Sequence, residues 1–251
     1  MKKINILLIL LVGLVFAGCN QTKKAAANDD EEKVVASTSW TAAFADIAGA
    51  NQVKIIAPAN LQHPPEYEIT VNDIQTIEKS KYFIYAGFER MMKTLGDAVG
   101  ETQMVKITCD NSIETVSKES RKIAEIWGSQ KECEKRLSEY VSAINNAKAD
   151  LEKRGLAGAR VLCNKNQTYL AKDLGLEVAA VFGPGPVTSD QIADAKTGNY
   201  AFIIDNVHNP QGRPLAEVAP NAKYLVWRNF PEKVERGALL NVIKENIKTL
   251  E

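Results

Sequence analysis

The sequence predicts an α/β protein of two lobes, each with a mainly parallel sheet, joined by one long linking helix. Short apolar runs alternate with helical stretches over residues 34–117 and again over residues 158–251, which is the pattern of βαβ units and a parallel sheet. Between them, over residues 118–157, apolar residues recur at steps of three, four and seven, as they do along one face of a helix. These observations define the two lobes and the helix between them.

The first 33 residues are expected to lie outside the folded body. Residues 1–18 combine a basic start, a short apolar run and a small-residue ending, which is typical of a secretory signal peptide. The ending before Cys19 resembles a bacterial lipobox, which implies that Cys19 is lipidated and anchors the protein at the extracytoplasmic face of a bacterial membrane. Residues 19–33 would then form the lipidated N-terminus and a flexible tether, because this segment is polar and charged and has no large apolar residue.

The N-terminal lobe is predicted to contain four short strands, at residues 34–36, 53–57, 82–86 and 104–107. Its two clearest helices are expected at residues 39–49, capped by Ser39 or Thr41, and at residues 73–78, capped by Thr70 or Asn72. The linking helix follows, with Gly155 as a natural stop and Gly128 as a point where the helix can break near its start.

The C-terminal lobe repeats the alternating pattern. Strands are predicted at residues 160–163, 177–182, 200–204 and 223–227. Helices are predicted at residues 169–174, 189–195, 215–219 and 235–250. The Gly-Pro-Gly-Pro segment at 183–186 lacks the Lys and Ser/Thr of a P-loop, so it is interpreted as a rigid turn.

Charge and cysteine content narrow the function. Lys plus Arg and Asp plus Glu both number 31, and this balance gives no indication of a nucleic-acid partner. Besides Cys19 the chain has Cys109, Cys133 and Cys163, an odd number, so one intramolecular disulfide at most can form and one thiol stays free.

Three segments resemble one protein family. Residues 67–74 (YEITVNDI), 81–89 (KYFIYAGFE) and 169–176 (YLAKDLGL) are similar to motifs of the zinc/manganese substrate-binding proteins of ABC transporters, the TroA-like and ZnuA-like proteins. The resemblance implies the TroA-like fold, a monomer that works with a membrane ABC permease, and no enzymatic activity. It also implies a divalent transition metal, zinc or manganese, bound between the lobes as cargo, with no other cofactor.

The usual metal ligands of that family are missing from this sequence. The position of the first family histidine falls on Pro65, the third ligand position is Asn164, and the fourth falls on or near Arg228, while residues 96–150 contain no histidine. One interpretation is a rebuilt site that uses His63, Asp205 and His208, a nitrogen and oxygen set that suits zinc or manganese. The further residues expected at the cleft are Glu66, Glu89, Cys163, Asn164 and Arg228.

Two other interpretations stay open. In the first, the metal site is lost and Asn164, Trp227, Arg228 and Asn229 line a pocket for a small organic or anionic solute, with the arginine supplying a charge-assisted fork. In the second, which is the less favoured, Cys163, His208 and Asp205 act as the nucleophile, base and orienting acid of an enzyme. No local catalytic signature surrounds these three residues.

Overall fold

A computed structural model of the chain describes residues 34–96 and 99–251. The predicted signal peptide, the lipidation site Cys19 and the tether lie outside the described residues, so these expectations stay predictions. Within the described ranges, no helix combines the length and the apolar character needed to cross a membrane.

The strands of the described residues form two four-stranded sheets in which every pairing is parallel, so the predicted fold class is confirmed. The N-terminal sheet has the order β2-β1-β3-β4 and the C-terminal sheet has the order β6-β5-β7-β8. The strands are β1 (Val34–Ala36), β2 (Lys54–Ile55), β3 (Tyr82–Tyr85), β4 (Gln103–Lys106), β5 (Arg160–Asn164), β6 (Glu177–Phe182), β7 (Phe202–Asn206) and β8 (Lys223–Trp227).

Helices connect consecutive strands and cover the sheets. The helices of the described residues are α1 (Ser39–Ile47), α2 (Val71–Glu78), α3 (Met92–Leu95), α4 (Ile113–Trp127), α5 (Gln130–Lys153), α6 (Thr168–Asp173), α7 (Ser189–Thr197), α8 (Arg213–Val218) and α9 (Ala238–Lys248). Thr70 and Thr188 cap α2 and α7 through capping boxes. The cap of α1 is Thr38, one residue before the predicted candidates, because its hydroxyl accepts a hydrogen bond from the amide of Thr41.

The segment predicted as one linking helix contains parts of two helices. α4 ends at Gly128, which adopts a left-handed conformation with φ of 73°, and α5 begins two residues later and runs for 24 residues. α4 and α5 pack against each other, and the long helix α5 contacts α1 of the N-terminal lobe as well as α6 and α9 of the C-terminal lobe. Its apolar stripe, which contains Cys133, Leu137 and Ile144, is fully buried.

One hydrophobic core runs through both lobes. It joins residues of the N-terminal sheet such as Ile84, residues of α5 such as Tyr140, and residues of the C-terminal sheet such as Ile204 and Trp227. Two smaller clusters, centred on Phe83 and on Leu162, cover the outer faces of the two sheets. The shared core fixes the positions of the two sheets, so the loops after their strands face each other. Cys109, Cys133 and Cys163 are all free thiols.

Candidate functional site

The loops that follow the carboxyl ends of the strands enclose a cavity of about 420 Å³ between the lobes. Ligands of parallel α/β sheets bind at this edge. We call this space the cleft cavity. The N-terminal lobe contributes Trp40, His63, Pro65, Glu66, Phe88 and Cys109, and the C-terminal lobe contributes Asn166, Tyr169, Asn206, His208, Asn209, Asn229 and Phe230.

His208, in the loop after β7, is buried at 7% exposure and reaches across to the N-terminal lobe. Its Nδ1 lies 3.1 Å from the carbonyl oxygen of Gln62, so the tautomer that fits carries the proton on Nδ1 and donates it to that oxygen. The other ring nitrogen, Nε2, is buried and has no hydrogen-bond partner among the described residues. His208, which lines the cleft cavity, therefore keeps one buried nitrogen whose lone pair is unused among the described residues.

The surroundings of His208 keep its ring uncharged. Burial lowers the pKa of His208 to about 4, and the charges of Arg228 and His63 act in the same direction. The hydrogen bond to Gln62 and the charge of Glu232 oppose this shift. The edge of the ring also packs against Phe230, with 4.5 Å between the ring centroids. At neutral pH the imidazole is thus in the form that can bind a metal ion.

A network of amide side chains holds the His208 loop in place. Asn206 accepts a hydrogen bond from the backbone amide of His208 at 2.9 Å and donates one to the side-chain oxygen of Asn229 at 3.0 Å. Gln167 donates to the same oxygen of Asn229, whose amide group donates to the carbonyl of Asn166 at 3.2 Å. Loops after β5, β7 and β8 are joined in this way, and the amides of Asn206 and Asn229 are committed to the protein.

His63 and Glu66 lie on the opposite wall of the cleft cavity. His63 is exposed and precedes the short 3-10 turn Pro64–Glu66, whose two prolines fix the backbone of the loop. The bond from His208 to Gln62, the neighbour of His63, brings the two histidines to the same cavity. Neither His63 nor Glu66 has a hydrogen-bonded side chain within the described part of the chain.

Asp205, the third member of the predicted metal set, does not line the cleft cavity. Its carboxylate is fully buried at the end of β7 and accepts five hydrogen bonds. The donors are the backbone amides of Asn206 (2.8 Å), Gln211 (3.3 Å) and Gly212 (2.7 Å), the Tyr224 hydroxyl (2.8 Å) and the Asn164 side-chain amide (3.1 Å). Its lone pairs are therefore already used to shape the loop that carries His208.

Gly212 is what allows the loop to close so tightly around Asp205. A Cβ atom at this position would lie 2.8 Å from the ring of Phe182 and 3.1 Å from Oδ2 of Asp205. The absence of a side chain is thus required for the short amide bond from Gly212 to the carboxylate.

Three of the predicted cleft residues are buried in the fold. Glu89 accepts bonds from the Ser37 hydroxyl (2.5 Å) and from the amides of Ala86 (2.8 Å) and Gly87 (2.6 Å), so it organises the turn after β3. Cys163 has no exposed surface, and burial raises the pKa of its thiol, which keeps it protonated. Asn164 is likewise fully buried and bonds to Asp205.

Arg228 lies outside the cleft cavity. Its guanidinium forms a 2.6 Å ion pair with Glu232 and faces a separate cavity of about 330 Å³ beside α9. Thus, of the predicted site residues, the structure brings His63, Glu66 and His208 together and places the other five elsewhere. Across residues 34–96 and 99–251, no group of three His, Cys, Asp or Glu side chains is arranged to hold a metal ion.

Aromatic residues form the part of the cavity that the sequence did not reveal. Trp40 and Phe230, one from each lobe, stack edge to face with 4.7 Å between their centroids, and the Trp40 indole donates to Asn111 at 2.8 Å. Phe88 and Tyr169 remain 55% and 41% exposed at the rim. The only sequence signal for these residues is an aromatic side chain shortly after the end of a predicted strand.

Comparison with known proteins identifies the fold. No protein-family model matches the sequence, and no curated protein matches it. Among solved structures, the substrate-binding protein FpvC of Pseudomonas aeruginosa in complex with Mn²⁺ is 16% identical with a TM-score of 0.66, over 87% of this chain and 97% of FpvC.

Two other solved structures give the same result. The laminin-binding protein Lmb of Streptococcus agalactiae, described as bifunctional with adhesin and metal transporting activity, is 18% identical with a TM-score of 0.65, over 87% of this chain and 97% of Lmb. The Mn-bound periplasmic metal-binding protein of Candidatus Liberibacter asiaticus is 18% identical with a TM-score of 0.59, over 87% of this chain and 98% of that protein. The chain therefore has the fold of metal-binding substrate-binding proteins, as the sequence resemblance predicts.

Proposed function

We propose that the protein is the extracytoplasmic substrate-binding component of an ABC importer and that its cargo is a divalent transition metal, zinc or manganese. The observation that carries the proposal is the buried, uncharged His208, which lines the cleft cavity and whose Nε2 has no partner among the described residues. Imidazole nitrogen is a preferred ligand of transition metals. His63 and Glu66 supply a second nitrogen and a carboxylate from the other lobe.

The metal cargo is also supported by what the similar structures bind. FpvC and the Liberibacter protein hold manganese, and these proteins resemble this chain over most of its length. In this proposal Asp205 holds the His208 loop and is not itself a ligand, because its oxygens already accept five bonds.

The two rival functions gain less support. An anionic solute would require Arg228 in the cavity, but its guanidinium is paired with Glu232 outside it. An enzyme would require Cys163 as an accessible nucleophile, but this residue is buried and its pKa is raised by burial.

Anchoring is proposed from the sequence alone. Cys19 would carry the lipid that holds the protein beside its permease, and residues 20–33 would tether the folded body to the membrane. The wild type should incorporate radiolabelled palmitate and a Cys19→Ser variant should not; a wild type that incorporates none, or a variant that is labelled equally, contradicts the proposal.

Metal analysis of the purified protein, followed by calorimetric titration with zinc and manganese chloride, tests the cargo. His208→Ala and His63→Ala should each weaken binding at least tenfold, since each removes one nitrogen ligand. Gln75→Ala, an exposed change on α2, is the matched control and should leave the affinity unchanged. If the wild type binds neither metal, or if both histidine variants bind like the wild type, the proposal is refuted.

A further inference from the structure

The cleft cavity is about ten times larger than the coordination sphere of a bare metal ion. Zinc takes its ligands at about 2.0–2.2 Å, and a sphere of that radius encloses only roughly 40 Å³. The cleft cavity measures about 420 Å³. This value lies within the range of about 300–1,000 Å³ that is typical of pockets for small organic molecules.

The cavity also supplies few donors for an ion of this kind. Its uncommitted donors to a metal are His63, Glu66, His208 and the free thiol of Cys109, whose pKa is raised by burial. No three His, Cys, Asp or Glu residues within the described ranges are arranged to hold one metal ion. The side-chain amides of two of its asparagines, Asn206 and Asn229, are already hydrogen-bonded in the network that holds the His208 loop. An ion that needs four to six ligands would keep several positions unfilled by the protein.

The rest of the lining combines aromatic rings with asparagines and carries little charge. Four rings, those of Trp40, Phe88, Tyr169 and Phe230, come from both lobes, and among the described residues no lysine or arginine lines the cavity. Within the same ranges, Glu66 supplies the one carboxylate of the lining. Such walls favour a planar organic group that is neutral or positively charged, and they offer no cation to a polyanionic one.

We propose that the metal enters the cleft cavity as a chelate, with a small, neutral, nitrogen-donating aromatic chelator that occupies most of its coordination positions. The metal's open positions take the imidazole nitrogens of His208 and His63, and the chelator lies against the aromatic rings of both lobes. This inference rests on the proposed metal-binding function and specifies the chemical form of the cargo. It accounts for the volume, the few donors and the aromatic walls together.

The test compares four titrants on the purified full-length protein by calorimetry: zinc chloride, a 1:1 zinc–2,2′-bipyridine complex, 2,2′-bipyridine alone and zinc citrate. We expect the zinc–bipyridine complex to bind at least tenfold more tightly than zinc chloride, and zinc citrate to bind no more tightly than zinc chloride. His208→Gln should weaken binding of the complex at least tenfold. Phe88→Ala, at a half-exposed position where folding is not at risk, should weaken it several-fold.

The matched control is Val71→Ala, because Val71 is an apolar residue on α2 that is 72% exposed and lies outside the cavity. It should leave all four affinities unchanged. If zinc chloride binds as tightly as the complex, or if Phe88→Ala has no effect on the complex, the chelate inference is overturned while the metal-binding function stands. If bipyridine alone binds as tightly as its zinc complex, the inference is overturned because the metal is not needed. If no zinc species binds, the inference is overturned, and the proposed function fails with it only if manganese chloride does not bind either.

Discussion

Asp205→Asn is the change that best separates a structural carboxylate from a metal ligand. The substitution keeps the shape of the side chain, but it replaces one acceptor oxygen by an NH₂ group. In the wild type, Oδ2 accepts hydrogen bonds from the backbone amide of Gly212 at 2.7 Å and from the hydroxyl of Tyr224 at 2.8 Å. In the variant the new NH₂ group and the Gly212 amide, both hydrogen-bond donors, would face each other. The hydrogen bonds that Oδ1 still accepts would be weaker, because the acceptor would no longer be charged.

The cost follows from these contacts. A hydrogen bond to a charged group contributes about 1.5–3 kcal/mol, and a buried amide left without an acceptor costs about 1–3 kcal/mol. The Tyr224 hydroxyl can rotate and accept from the new NH₂ group, so only the Gly212 amide loses its partner fully. We therefore expect a loss of about 3 kcal/mol in the free energy of unfolding. For a chain of this size that corresponds to a fall of about 6–12 °C in Tm.

Thermal unfolding of the metal-free protein, followed by circular dichroism, measures this loss, and zinc calorimetry on the same samples measures affinity. Glu217→Gln, an exposed carboxyl-to-amide change on the neighbouring α8, is the control and should unfold within about 1 °C of the wild type. The reasoning is refuted if Asp205→Asn unfolds like the control and yet loses zinc affinity tenfold. That result would make Asp205 a ligand.

Three further changes test other parts of the structure. As the pH falls from about 6.5 to about 4, the free energy of unfolding of the metal-free protein should fall by up to about 3 kcal/mol, a value that solvent screening reduces. The cause is that in this pH range His208 binds a proton in the unfolded chain but not in the folded protein. Urea titrations of the wild type and of His208→Gln measure this loss. Arg136→Met should cost about 3–5 kcal/mol, because the buried guanidinium is the ion-pair partner of the largely buried Asp46 and also donates to the carbonyls of Asp46 and Ala50. Arg121→Met, at an exposed ion pair, should cost under about 1 kcal/mol. Gly128→Ala should lower the free energy of unfolding by about 1–2 kcal/mol, because the φ of 73° at Gly128 is strained for a residue with a side chain, while the open space around it adds no clash. Chemical denaturation measures the effects of the arginine and glycine variants.

The parallel strands could be predicted because strands that are buried on both faces are nearly continuous apolar runs. β6 and β8 begin and end where the sequence predicts, but β7 lies two residues further along than the predicted 200–204. The sequence prediction ended at the first polar residue. In the structure the strand continues through Asp205 and Asn206, because the hydrogen bonds of both side chains are satisfied inside the protein.

The linking helix shows a different limit. The apolar stripe over 118–157 correctly indicates helix, but a stripe of this kind is equally compatible with two helices that share a buried face. Gly128 alone marks the break, and a glycine inside a helical pattern can also be tolerated. Packing of α4 against α5 decides between the two outcomes, and that contact depends on the rest of the fold.

The candidate site was predictable only as far as residue types allow. Asp205, at the end of β7, and His208, in the loop that follows, lie three residues apart, and both have the chemistry of a metal ligand. Three backbone amides and two side chains converge on Asp205, so its lone pairs are consumed, whereas His208 donates one proton to Gln62 and keeps Nε2 without a partner among the described residues. We therefore expect a metal ligand to be a residue that keeps an unused lone pair after folding, as in the role proposed for His208. Which residue keeps one depends in part on partners from β5, β8 and the opposite lobe, and the local sequence does not contain these partners.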